Sequence, residues 1–296
     1  MRILVLNYEY PPLGGGGGVF SRDLSEEWSK MGIKIDVITS GSRKLSKIEK
    51  KNKVRVYRVW SRERKKIQSA GFLNLLFFVI SGFFKTRSLM KKRRYDFVHT
   101  HFAIPTGVIT YLLSFLYKNK YILTIHGADI YDPSRLMSGH KFFLTRFLVA
   151  KIINRSDKVI ASSREIQEKA YRYFKIKKQI KIIPLGFKST QDKTAIDLKK
   201  AKKRHSNQKI KLITIGRLVK RKNLKFLIKA LKKVDQRFVL NVVGGGPMES
   251  DLRQYVKSLN LEKKIKVLGR VSERRKAELL KEADIYVSTA MHEGFG

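Results

Sequence analysis

The chain has 296 residues, 43% of them hydrophobic, which is enough to build about two globular domains. It carries 65 Lys+Arg against 24 Asp+Glu, a formal net charge of +41. Such a surface favours polyanions (nucleic acid, anionic lipid, phosphorylated substrates), although basic residues spread along the chain also suit ordinary solvated helix faces. The absence of cysteine excludes disulfides and thiolate-ligated metal sites.

The chain opens on MRILVLNYEY, one short apolar run ending in turn residues. No small-residue cleavage site follows, so a cytoplasmic protein is expected. The run reads as a buried strand over 3–8. PPLGGGGG follows, with five consecutive glycines, Gly14 to Gly18. Glycine loses the most backbone entropy on folding, so five together imply either a slack tether or a close approach to bare backbone. A tether has no purpose between a buried strand and the helix predicted over 21–32. Gly32 then stops that helix.

Strands follow over 34–40 and 53–60. Residues 67–84 hold no charge and approach the length of a membrane span, but include Gln68, Ser69, Asn74, Ser81 and two glycines. Three readings stay open: a span, a buried amphipathic helix, or a helix touching a membrane interface. The basic cluster RSLMKKRRY at 87–95 is one that anionic lipid attracts.

The alternation continues with a strand over 95–102, a helix over 106–118, a strand over 120–127 and a helix over 138–156. A strand over 157–163, a helix over 164–174 and a strand over 179–186 come next. Residues 189–208 are polar and highly charged and read as an interdomain link. After them strands are expected over 210–218, 237–245, 264–271 and 284–290, with helices over 223–234, 248–259 and 272–283.

Strands alternating with helices imply βαβ units and parallel sheets. The fold class is α/β, with two doubly wound domains, 1–188 and 209–296, facing each other across a cleft. The chain ends just after a strand, with no helix to cover it. A parallel sheet is normally covered on both faces, so a fragment with an incomplete second domain is expected, inactive by itself.

In doubly wound sheets ligands bind outside the carboxyl ends of the strands. The loop GRLVKRKN places Arg217 and Lys222 between a strand and a helix. A guanidinium fork, an ammonium and a helix N-terminus together suit a diphosphate. GGGP at 244–247 also joins a strand to a helix, but the chain holds neither the full G-x-G-x-x-G fingerprint nor a P-loop. His99 and His101 share one strand face with no third metal ligand evident.

Taken in order, GGGGG, HGAD, GRLVKRKN, VGGGP and the terminal HEGFG resemble the retaining glycosyltransferases of family 4, with the GT-B fold. The resemblance covers essentially the whole chain. It implies a nucleotide-sugar donor, UDP- or GDP-linked, and no cofactor or metal. It places the donor diphosphate on Arg217 and Lys222, approached by backbone N–H groups near Gly16 and Gly17. It implies three catalytic groups: His126 near the reacting sugar, Asp129 in the same loop, and Glu293 on the sugar hydroxyls. Gly245, Gly269, Arg270 and Val271, with the terminal Gly294, Phe295 and Gly296, would border nucleotide and sugar. A second Glu would fall at position 301.

Two motifs depart from the family. P-N-G-V-D is PLGFK here, and the common Lys-Gly is Lys222-Asn223, which a helix N-cap tolerates. The acceptor is expected to be a glycan or a lipid-linked precursor, and the protein peripheral on the inner face of an anionic membrane, without nucleic acid. The rival readings are a polyanion- or nucleic-acid-binding module and an NAD-dependent oxidoreductase.

Overall fold

The computed structural model describes residues 1–61, 71–132, 140–186, 209–291 and 293. The polar link expected over 189–208 and the start of the helix expected at 138 lie outside them. The chain divides into two compact units, Met1–Thr190 and Gln191–Glu293.

The first unit holds strands β1 (Arg2–Leu6), β2 (Lys34–Ser40), β3 (Ile48–Lys51), β4 (Val54–Val59), β5 (Phe97–His101), β6 (Tyr121–Ile125), β7 (Lys158–Ala161) and β8 (Ile180–Ile182). Its helices are α1 (Gly16–Lys30), α2 (Phe72–Lys92), α3 (Thr106–Leu113), α4 (Phe143–Arg155) and α5 (Arg164–Tyr173). The sheet order is β3-β4-β2-β1-β5-β6-β7-β8. Every pairing is parallel except β3 with β4.

The continuous apolar run of β1 has a physical reason: both of its faces are covered. Ile3 and Val5 pack with Ile35, Val37, Val54 and Val56 beneath Trp28 of α1. Leu4 and Leu6 pack with Ile38, Phe78, Leu89, Ile109 and Leu113 beneath α2 and α3.

Three sequence expectations change. The first helix starts at Gly16 rather than 21, so the glycine run is largely the first turn of α1. The third helix ends at Leu113, well short of 118. The strand β3 lies in a Lys-rich stretch with no apolar alternation, and it exists because β4 offers an edge to pair with.

α2 is long and apolar enough to cross a membrane by length and composition. Its inner face nevertheless belongs to the domain core: Phe78, Thr86 and Leu89 are buried there. That fits the reading of this segment as an amphipathic helix packed on the domain core.

The second unit holds β9 (Ile210–Ile215), a one-turn 3-10 helix (Lys220–Lys222), α6 (Leu224–Lys232), β10 (Phe238–Val243), α7 (Glu249–Ser258), β11 (Ile265–Gly269), α8 (Glu273–Glu282) and β12 (Ile285–Tyr286). Its order is β11-β10-β9-β12, all parallel. Leu224, Leu227, Ile228 and Leu231 of α6 and Leu252 and Val256 of α7 cover one face. Leu279 of α8 meets Ile213 and Val243 on the other. The last strand forms only at Ile285–Tyr286, much shorter than the 284–290 expected.

A buried lysine closes α6. Lys264 is 4% exposed and donates from Nζ to the carbonyls of Leu231 (2.7 Å) and Val234 (2.5 Å). A cation at the carbonyl end of a helix satisfies orphan acceptors and complements the helix dipole. Lys264→Met leaves those carbonyls buried without a donor. It should destabilise the second unit by about 2 kcal/mol, read as a lower urea midpoint with unchanged m-value.

Candidate active site

In each sheet the strand order reverses once, between β1 and β5 in the first unit and between β9 and β12 in the second. Loops leaving the carboxyl ends of two such strands diverge to opposite faces and leave a crevice. The predicted site residues fall on these loops and their neighbours, in two clusters, one per domain.

In the first domain the loop after β1 folds back on Glu9. The Glu9 carboxylate accepts the Gly15 N–H at 2.9 Å, and Asn7 donates from Nδ2 to the Gly17 carbonyl at 3.2 Å. A Cβ on Gly14 would lie 2.5 Å from the Glu9 side chain, and one on Gly18 would lie 3.0 Å from the Glu9 backbone. A Cβ on Gly17 would strike the Phe102 ring at 2.5 Å, across the strand-order reversal. Glycines beyond those a ligand needs are therefore required by packing. Gly16 differs: nothing lies within 4 Å of a Cβ there. It opens α1, where the first N–H groups have no intrahelical partner.

Beside this loop stand three imidazoles. His99 and His101 come from β5, with ring centroids 4.4 Å apart, and His126 follows β6, 5.2 Å from His101. The third histidine is thus supplied by a neighbouring strand, which sequence spacing does not reveal. The rings are tied by hydrogen bonds. His99 Nε2 pairs with Thr124 Oγ1 at 2.8 Å, and His101 Nδ1 pairs with His126 Nε2 at 3.0 Å. Among the described residues no group of three or more His, Asp and Glu is arranged to hold a metal.

Burial pushes His99 down to about 4, and His101 falls well below the usual range from burial and from its two imidazole neighbours. His126 shows a part-exposed edge, yet burial and then His99 push it down to about 3. All three are neutral at pH 7.

Neutrality lets the hydrogen bonds assign the tautomer. His101 Nε2 is buried with no partner. A buried orphan N–H is rarer than a buried orphan acceptor, so His101 carries its proton on Nδ1 and donates to His126 Nε2. His126 then carries its proton on Nδ1 and offers a donor from that nitrogen. His101 is a positioning residue that sequence reasoning assigned no role.

Asp129 was expected among the catalytic groups. It is buried, and its two oxygens accept the N–H groups of Ala103 (2.7 Å) and His126 (3.0 Å). Burial raises it to about 6 against the pull of those backbone donors. Asp129 therefore ties the β5 and β6 loops together and fixes the backbone at His126.

In the second domain the loop after β9 carries Arg217, Lys220, Arg221 and Lys222, and the segment after β12 carries Glu293. Glu293 pairs with Arg221 Nη1 at 2.9 Å and with Lys222 Nζ. Burial opposes its ionisation, but the hydrogen bonds from Lys222 and Arg221 outweigh burial and hold its carboxyl below the ordinary value. Arg217 is part-buried in the same loop. Arg221 is the basic partner that sequence reasoning missed, because four cations in eight residues look alike on paper.

Gly244 and Gly246 are also required by packing. A Cβ would lie 1.9 Å from the Gly216 carbonyl oxygen at the first and 2.3 Å from that of Leu218 at the second. Gly245 is looser, with Arg270 Cβ at 3.6 Å. Gly269 is left-handed (φ 71°) and accepts the Gly244 N–H at 2.8 Å. Arg270 is exposed, while Val271 packs against the Ile213–Val243–Leu279 core, which leaves only its backbone for a ligand. Asn223 corrects an expectation: it makes no side-chain cap, but adopts φ 51°, a left-handed conformation that asparagine tolerates where the family has glycine. Gly294, Phe295 and Gly296 lie outside the described residues.

Two measurements check this geometry. Unfolded histidine gains its proton near pH 6.5 while the native His99 and His126 do not, so stability falls as pH drops from 6.5 toward 4. His99 alone contributes on the order of 3 kcal/mol. Asp129, raised from 3.8, works the other way over pH 6 to 4, but one carboxyl against three imidazoles leaves a net loss. Urea midpoints should decline over that interval, less steeply in His99→Phe. Nitrogen-15 spectra of the imidazoles at pH 7 should show His126 as the Nδ1–H tautomer, and His101→Phe should yield a tautomer mixture.

Comparison with known proteins places the chain in a family. Residues 14–190 match the model described as Glycosyltransferase Family 4, and residues 195–296 match Glycosyl transferases group 1. An uncharacterized glycosyltransferase of Methanocaldococcus jannaschii is 26% identical over 315 residues, covering 100% of this chain and 76% of the relative. Among solved structures, sucrose-phosphate synthase of Thermosynechococcus elongatus superposes with TM-score 0.79 at 19% identity, covering 100% of this chain and 77% of that one. Anabaena HepE, in complex with UDP and glucose, gives 0.69 at 19% identity, covering 100% and 76%. The family-4 match spans more than half of the chain, and the fold is that of its GT-B neighbours. This chain is a member of glycosyltransferase family 4.

Proposed function

We propose that the protein transfers a sugar from a nucleoside-diphosphate sugar to an acceptor hydroxyl with retention of anomeric configuration and without a metal. The observation that carries this is the cationic loop at the strand-order reversal of the second domain, where Lys222 and Arg221 already hold a carboxylate. A diphosphate offers the same chemistry with more charge. The UDP complex of the Anabaena structure supports a nucleotide-sugar donor.

Cleavage of the sugar–phosphate bond leaves negative charge on the diphosphate and oxocarbenium character on the sugar. Arg217 and Lys222 stabilise the leaving diphosphate, and fixed charges of this kind need no reorganisation as the bond breaks. In the first domain, open backbone at Gly16 and its neighbour Gly17 in the first turn of α1 offers N–H donors of the kind that bind anions. Glu293, held against the cations, accepts hydrogen bonds from sugar hydroxyls. Neutral His126 donates from Nδ1 and contributes no charge. Gly245 and the backbone of Gly269 to Val271 border the nucleotide. The leaving phosphate can take the acceptor proton, so same-face attack requires no separate base. The acceptor is a glycan or lipid-linked precursor, met by a cytoplasmic protein working at the inner membrane face.

A thermal-shift screen with UDP-, GDP- and ADP-sugars, NAD and an oligonucleotide tests the reading. Stabilisation by one nucleotide sugar, undiminished by EDTA, is expected. Lys222→Ala or Arg217→Ala should weaken that binding by about 100-fold, on the order of 3 kcal/mol. Stabilisation by oligonucleotide or NAD alone would overturn the proposal.

A further inference from the structure

The outer surface of α2, α3 and α4 is unusual in both polarity and charge. α3 packs against α2 on one side and α4 on the other. The contacts are tight: a Cβ on Gly82 would lie 2.7 Å from Ile109, and one on Gly107 would lie 2.7 Å from Ile152. The three helices form one layer, on the face of the sheet opposite α1.

Their outward residues are apolar. On α2, Leu73, Leu76, Ile80 and Phe84 recur at helical spacing and are all exposed, Phe84 to 61%. Just past α3, Phe115 is 62% exposed. At the start of α4, Phe143 and Leu144 are 80% and 77% exposed, and Phe147 follows one turn on. Contiguous exposed patches of this kind mark interaction sites.

The charge around them has one sign. Segments 72–92, 106–118 and 140–155 contain no Asp or Glu but nine Lys and Arg. α1, on the opposite face, carries Asp23, Glu26 and Glu27. The cations sit on the aromatic rings: Lys151 Nζ lies 5.1 Å from the Phe147 centroid, and the Arg155 guanidinium lies 4.9 Å from that of Phe115. Arg155 is anchored there by bonds of 3.0 Å to Ser114 Oγ and to the Ser114 carbonyl. On α2 the apolar stripe runs directly into Arg87 and Lys91.

We propose that this three-helix layer docks on an anionic lipid bilayer, with the apolar side chains of α2 and α4 inserted among the acyl chains and the flanking cations on the headgroups. A second copy fits poorly, because it would bring like charge against like charge with no acidic residue to pair. Apolar side chains ringed by cations match an anionic interface in both respects. The location also suits the reaction. Tyr131, five residues after His126, lies 4.4 Å from the His140 ring, three residues before Phe143. The apolar tip of α4 is therefore tied to the loop that carries His126, where a lipid-linked acceptor would arrive from the bilayer. That last step rests on the transferase reading; the docking itself does not.

Vesicle flotation of the chain tests the proposal, with phosphatidylcholine vesicles compared with vesicles containing phosphatidylglycerol. Trp60, 65% exposed and 4.6 Å from Phe77 of α2, serves as an intrinsic fluorescent reporter. The expected result is selective binding to anionic vesicles with a blue shift of Trp60. The quadruple variant Leu76→Ser, Phe84→Ser, Phe143→Ser, Phe147→Ser should lose about tenfold or more in partitioning, because apolar burial contributes to interfacial binding beside charge. All four side chains are exposed, so its melting curve and nucleotide-sugar stabilisation should stay as in the parent. Equal flotation of variant and parent would show that net charge alone drives binding and would overturn the proposal. So would absence of flotation with either vesicle, or a parent dimer that the substitutions dissolve. Each of these outcomes leaves donor binding, measured separately, to stand or fall by itself.

Discussion

Everything functional in this protein depends on one constraint of parallel sheets: where strand order reverses, the flanking loops part and leave room. The first domain reverses between β1 and β5, and the second between β9 and β12. The glycine run and the Phe102 turn flank the first reversal. The basic loop and Glu293 flank the second. Gly17 lies beneath the Phe102 ring across the first reversal, and Glu293 pairs with Arg221 and Lys222 across the second.

Loops that crowd one sheet edge must nest, and the glycines answer that need. Gly14 and Gly18 make room for Glu9, Gly17 for Phe102, Gly244 for the Gly216 carbonyl and Gly246 for that of Leu218. A side chain at Gly17, Gly18, Gly244 or Gly246 would meet a ring or backbone, which cannot move aside cheaply, and one at Gly14 would meet the base of the Glu9 side chain. Gly15, Gly16 and Gly245 are the glycines of the two runs with space for a Cβ. Within each run, then, most positions are fixed by packing and a minority leave backbone open.

The two clusters are electrically unlike. The first domain presents neutral imidazoles, held neutral by burial and by one another, and an aspartate engaged with backbone N–H groups. The second presents a group of cations with a single carboxylate among them. Fixed positive charge is therefore concentrated in the second domain's cluster, and hydrogen-bonded neutral rings in the first's. The same division appears on a larger scale in the first domain, where acidic residues are found on α1 and are absent from α2, α3 and α4.

Alternation of apolar strands with amphipathic helices was enough to identify two doubly wound domains, because buried parallel strands and one-sided helices leave different periods in a sequence. The motifs at strand ends were legible for a similar reason: glycine and basic residues are conspicuous against that alternation. The first helix was misjudged at its start, since a glycine run carries no helical signature until Glu9 and Phe102 pack upon it. Asp129 and His126 looked equivalent in one loop, and only their neighbours from β5 separate a buried clamp from a donor facing outward. The link between His101 and His126 joins residues 25 apart, and the one between Lys222 and Glu293 joins residues 71 apart. Local sequence determined the strands, the helices and the sign of the charge. Which side chains share an environment was decided by sheet order, because that order brings distant strand ends to one edge.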